Sequence, residues 1–126
     1  MKYLYDPPLI VKKVFNNSQW YTKNNKILLT FDDGPVHETT DLILKELNHL
    51  KIKAAFFCVG NNVSKNPALV KSIIEEGHLI GNHTFNHKVL TGLKAEEINN
   101  EINSFNNFLL ENFNYKTECF RPPHGR

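Results

Sequence analysis

The 126-residue sequence has no long hydrophobic run. Nothing in it approaches the ~18 consecutive apolar residues of a membrane-crossing helix, which excludes a helical membrane span. It also has no block of like charge. A formal net charge of +2 is too small to point to nucleic acid, and the isolated Lys12-Lys13 pair reads as part of a solvated face. Cysteine is scarce. Cys58 and Cys119 are the two present, without C-x-x-C spacing, and both read as buried free thiols rather than a disulfide or a metal pair. The opening residues Met1–Pro8 lack the continuous apolar core of a signal peptide, so no export address is expected there and a cytoplasmic location is the default. No internal repeat or low-complexity tract is visible, although asparagine is abundant.

What the chain does have is an ordinary globular composition, 40% hydrophobic and 22% charged, which argues against disorder and allows at most one domain. Residues 1–25 read as an irregular lead-in broken by Pro7-Pro8, Asn16-Asn17 and Asn24-Asn25. Val11, Val14, Phe15, Trp20 and Tyr21 are available there to cover one end of a core. From residue 26 the pattern alternates. Ile27–Phe31 reads as a buried strand, and Thr39–Leu50 as a helix with Ile43, Leu47 and Leu50 on its apolar face. Ala54–Val59 is a second apolar run, ending at Gly60. Asn66 is the expected N-cap of the next helix, with Pro67 first, Leu69, Val70, Ile73 and Ile74 as its stripe, and Gly77 as its stop. His78–Asn82 reads as a third strand. Ala95–Phe113 reads as a long helix with Ile98, Ile102, Phe105 and Leu109 on one face and Glu96 and Glu97 in its first turn. Glu118–Arg121 starts a fourth strand. This alternation predicts an α/β fold of parallel βαβ units, whose strands are covered on both faces.

In such folds chemistry gathers at the carboxyl ends of the strands, and the unusual polar clusters fall there. Asp32 and Asp33 leave the first strand side by side before a Gly34-Pro35 turn. Adjacent carboxylates repel, and the turn needs neither, so the pair points to a cation, a proton-transfer task, or both. His83 and His87 stand at i, i+4. On a helical turn both rings would leave one face and could close on a single metal, whereas two ordinary surface histidines are the bland alternative. Two imidazoles and one carboxylate leave coordination positions open, as a catalytic metal site requires. One acid can then hold the metal while the other takes a proton from water whose pKa the metal has lowered to about 7. In the third cluster, Arg121-Pro122-Pro123-His124-Gly125-Arg126, Pro-Pro stiffens the chain and glycine permits close backbone approach. A guanidinium at a strand end can hold a carboxylate through a bidentate fork. Read alone, the cluster is an ordinary turn with solvated arginines.

Together, Thr30-Phe31-Asp32-Asp33-Gly34-Pro35, His83-Thr84-x-x-His87 and Arg121-Pro122-Pro123-His124-Gly125 resemble, in order, the first three motifs of the polysaccharide deacetylase family, the NodB-homology domain of carbohydrate esterase family four. The resemblance spans residues 26–126. It implies a distorted (β/α) barrel and hydrolysis of an N-acetyl, sometimes O-acetyl, group on a carbohydrate. By similarity Asp32 would be the general base, and Asp33, His83 and His87 the ligands of a divalent metal, usually zinc and sometimes cobalt. Arg121 would orient and tune Asp32, and the His124 backbone N–H would help hold the developing oxyanion. Pro123 and Gly125 would belong to the substrate site. The implied partner is an acetylated glycan; oligomeric state is not legible. The family is also often extracytoplasmic.

Two departures from the pattern matter. The family commonly has tyrosine where this chain has His124, a change the backbone role tolerates. The family's later motifs, an Asp/Trp-containing segment and a Leu-x-His whose histidine protonates the leaving amine, have no counterpart before Arg126. His37, His49 and His78 match no such position and read as surface or structural histidines. With about four βα units where a barrel has eight, the expectation is a domain incomplete on its C-terminal side. The alternative to a working deacetylase is a metal- or glycan-binding remnant without the catalytic acid. A non-haem iron oxygenase would share two histidines and a carboxylate, but such sites sit on antiparallel β scaffolds. Phosphoryl transfer on an aspartate would leave the histidine pair unexplained.

Overall fold

The computed structural model describes residues 8–14, 16, 17 and 27–126. Phe15, Trp20, Tyr21 and Asn24-Asn25 of the expected lead-in lie outside them. Part of the lead-in read as irregular is a helix, α1 (Leu9–Val14); it buries no residue fully, Val14 is exposed and Val11 is half-buried. The remainder runs β1 (Leu29–Asp32), α2 (Thr40–Leu50), β2 (Ala54–Cys58), α3 (Gly60–Lys65), α4 (Pro67–Glu75), β3 (Leu79–Asn82) and α5 (Ala95–Phe113), followed by a 3-10 turn at Pro123–Gly125. None of the described helices is long and apolar enough to cross a membrane.

The three strands form one parallel sheet in the order β1-β2-β3. β2 is central and buried along its whole length, as its unbroken Ala-Ala-Phe-Phe-Cys run requires. Leu44, Leu47, Phe56, Val70, Ile73, Ile80, Phe105 and Leu109 pack into one core over that strand. Each such side chain contributes on the order of 1.5–3 kcal/mol on burial. β1 corrects the expectation of a buried strand. Among the described residues it is an edge strand, and Ile27, Leu28 and Leu29 are exposed. Its apolar letters are the same as those of a central strand; among the described residues, only its single paired neighbour distinguishes it.

The helices follow their periodicity with two adjustments. In α2 the buried stripe is Thr40, Leu44 and Leu47, while Ile43 is only half-buried and Leu50 is exposed. Thr40 turns inward because its Oγ1 accepts the Val36 N–H at 2.9 Å. α3 lies within Gly60–Lys65, where the sequence carried no helical signal. Asn66 takes the N-cap position of α4 as expected, but its side chain makes no capping bond: Nδ2 donates instead to the Pro35 and Asn62 carbonyls at 3.0 and 2.9 Å. Gly77 stops α4 as expected, with a φ of +74° that favours glycine. α5 spans the expected Ala95–Phe113.

Glu118–Arg121 is not a strand. Only one parallel bridge, Asn82 to Phe120, joins it to the sheet, supported by Asn82 N–H to Cys119 O (2.8 Å) and Arg121 N–H to Asn82 O (2.9 Å). Pro122 ends pairing there, because it offers no donor and restricts the residue before it. Both cysteines are free, but Cys119 is exposed where a buried thiol was expected. Cys58 is buried, and burial pushes its thiol up to about 12.

Candidate metal centre

Strand register brings the polar clusters to one end of the sheet. Asp32 pairs with Phe57, and Phe57 with Gly81; one step further, Cys58 lies level with Asn82, and Asn82 with Phe120. Asp33, His83 and Arg121 therefore leave neighbouring chains at almost the same height. The loop after β3 keeps pairing beyond the strand: His83 N–H donates to Cys58 O (3.0 Å), and Gly60 N–H to Thr84 O (3.1 Å). Only glycine fits at position 60, where a Cβ would lie 2.8 Å from the Phe85 Cα.

The two histidines do not lie on a helical turn, as the i, i+4 spacing suggested. The segment is a bend in which Thr84 and His87 adopt left-handed conformations, with φ of 66° and 55°. The bend still converges the rings, with centroids 5.0 Å apart. Asp33 Oδ1 lies 2.9 Å from His87 Nε2 and 3.3 Å from His83 Nε2. One donor atom from each of the three residues falls within 4.8 Å of the others. Ligands around a tetrahedral ion with bonds of about 2.0–2.2 Å stand roughly 3.3 Å apart, so the spacing fits a metal.

The tautomer fits too. His83 Nδ1 is 2.7 Å from the Arg121 carbonyl, an acceptor, so Nδ1 carries the proton and Nε2 presents its lone pair to the centre. His83 is buried and Asp33 exposed, which leaves one side open to solvent. Asp33 is itself held: Asn62 Nδ2 donates to its carbonyl at 2.7 Å, and its φ is 70°.

Asp32 faces a different partner. Arg121 Nη1 donates to Asp32 Oδ1 at 2.6 Å and to Thr30 Oγ1 at 3.1 Å. The guanidinium lies over the Phe57 ring, 4.0 Å from its centroid, which fixes its plane. His124 sits in the 3-10 turn with φ 54°, its ring 5.2 Å from that of His87. Gly125 has a φ of +73° and is exposed. Pro123 is fully buried, so a part in a substrate site would come through the turn it shapes rather than by contact. A groove of about 360 Å³ opens beside Asp33 and His87, lined by Asn61, Asn62 and Asn86.

Two supporting residues were not singled out by motif spacing. Asn82, almost fully buried, accepts the Thr84 N–H through Oδ1 (2.7 Å) and donates through Nδ2 to Ile102 O and Asn106 Oδ1. A fully polar side chain ending a buried strand was the available signal. The other is Glu101, an acid set among the inward-facing residues of α5. His37 pairs with Asp41 at 3.1 Å on the surface, and His49 is exposed in the last turn of α2. His78 is buried at the opposite end of the sheet.

Comparison with known proteins points to one family. A family model described as polysaccharide deacetylase matches residues 20–126. A peptidoglycan-N-acetylglucosamine deacetylase of Bacillus cereus is 42% identical over 100 residues, covering 79% of this chain and 36% of that protein. A chitooligosaccharide deacetylase of Rhizobium leguminosarum bv. trifolii is 42% identical over 83 residues, 66% of this chain and 39% of the relative. Among solved structures, the peptidoglycan deacetylase PdaC of Bacillus subtilis superposes with a TM-score of 0.76 at 37% identity, over 78% of this chain and 48% of that one. The chain thus spans half or less of the length of these relatives.

Proposed function

Because the chain belongs to the polysaccharide deacetylase family, we propose that its site removes N-acetyl groups from a carbohydrate polymer or oligomer with the help of a divalent metal, zinc or else cobalt. The observation that carries this reading is the meeting of Asp33, His83 and His87 beside the Asp32–Arg121 pair. Asp33, His83 and His87 would hold the metal, which when bound supplies Lewis acidity toward the acetyl carbonyl and toward water. Asp32 takes the proton of the attacking water. Arg121, fixed by Thr30 and Phe57, keeps that carboxylate aimed. The water oxygen bonds to the acetyl carbon, the carbon–nitrogen bond breaks, and the proton that Asp32 took passes to the departing amine as acetate leaves. The His124 backbone N–H donates to the carbonyl oxygen as it gains charge, on a turn shaped by Pro123 and Gly125.

Peptidoglycan N-acetylglucosamine is the first substrate to try, since the names of several relatives carry it. Acetate release should be measured from N-acetylglucosamine oligomers and from O-acetylated xylan. Release from the first and little from the second is expected; the reverse preference would overturn the N-acetyl assignment. A second reading is metal or glycan binding without turnover: His78 lies at the opposite end of the sheet, His49 is exposed in the last turn of α2, and His37 pairs with Asp41. Metal uptake with no acetate from either substrate would select it.

A further inference from the structure

We propose that Glu101 on α5 is a positioning residue that locks His87 into the orientation a metal ligand needs, an inference resting on the metal reading above. Glu101 is 5% exposed, yet both its oxygens are used, and both are used on the loop that carries His87. Oε2 accepts the Asn86 backbone N–H at 2.8 Å. Oε1 accepts Asn86 Nδ2 at 2.9 Å and lies 3.1 Å from Lys88 Nζ. The residues immediately before and after His87 are therefore tied to one carboxylate.

Three features make this more than a satisfied buried acid. First, burying a carboxylate among apolar residues is costly unless it is fully partnered, and its place on the helix stripe gives α5 nothing that an apolar residue would not. Second, His87 adopts a left-handed φ of 55°, which a non-glycine residue holds only when its surroundings impose it. The two flanking anchors are the imposition. Third, the clamp is specific to one ligand. His83 is held separately, by Cys58 O on its N–H and by Arg121 O on Nδ1. Asn86 also accepts from Asn61 Nδ2 at 3.1 Å, which extends the clamp to α3 at the wall of the groove.

The test is zinc affinity of the full chain by chelator competition, with the visible spectrum of the cobalt-substituted form as the second readout. Glu101→Ala should weaken zinc binding by about 10–100-fold, the range for partners that orient metal ligands, and should alter the cobalt bands. Glu101→Gln keeps the length and one acceptor, and should recover part of both. Phe105→Leu, a mild truncation one turn along the same helix, should lower the unfolding temperature while leaving affinity and spectrum unchanged. Zinc affinity of Glu101→Ala within twofold of the parent, with an unchanged cobalt spectrum, would overturn the proposal. Should Glu101→Ala fail to fold, Glu101→Gln decides: weakening of threefold or more is expected, and parental affinity overturns it. Failure of the parent chain itself to take up zinc would sink the metal reading, and this inference with it.

Discussion

Asp32 and Asp33 are neighbours in the chain but have different partners: Asp32 meets Arg121, and Asp33 meets the two histidines. The end of the strand explains the split. Asp32 is the last paired residue of β1, whereas Asp33, with φ 70°, has already turned out of it. The proposed roles separate accordingly. Asp33→Asn should weaken zinc binding by more than about 100-fold, beyond the range for outer partners. Asp32→Asn should leave zinc affinity within about threefold, while lowering acetate release by about 10²–10⁴-fold. Calorimetry and an acetate assay on the two variants check the split, and parallel losses in both would contradict it. The four ionisable residues of the first two motifs could be singled out in the sequence because chemistry needs those residue types at those positions. Asn82 and Glu101 were not, because a supporting side chain can come from any element that the fold brings near.

At the scale of elements, β2 and α5 read correctly because each is long or continuous and packs along one whole face. β1 misread because edge and centre differ by neighbours and not by letters. Glu118–Arg121 misread because Pro122 allows one bridge and no ladder. The foot of the sheet holds a consequence for stability. Ala54 N–H donates to His78 Nδ1 at 3.2 Å, which ties β2 to the entry of β3 and leaves the proton on Nε2. Burial, reinforced by Lys53, lowers the His78 pKa below its ordinary 6.5, and Glu76 offsets this only in part. The unfolded chain therefore takes up this proton first as pH falls. Stability from this group is whole above about pH 6.5 and is lost on acidification toward the lower folded value, by at most about 1.4 kcal/mol per pH unit. In urea unfolding between pH 7.5 and 5, His78→Gln should show a shallower loss of stability than the parent. Equal slopes would remove His78 from the account.

For the molecule as a whole, the site is a product of parallel topology. Residues far apart in sequence, Asp33 from β1, His83 and His87 after β3, and Arg121 beyond α5, arrive together because parallel strands put all their carboxyl ends on one side. The sequence carried that topology in its alternation of apolar runs and helical stripes, and so the place of the site was readable before its geometry. The left-handed bend that aims His87 was not readable, since neither Thr84 nor His87 favours that conformation by itself. The account stands most directly on one assay: acetate release from N-acetylglucosamine oligomers by the chain stripped with a chelator and then given one equivalent of zinc. It predicts no release from the stripped chain, recovery with zinc, and no recovery for His87→Ala. Release that survives chelation, or none from the zinc-loaded chain, would contradict it.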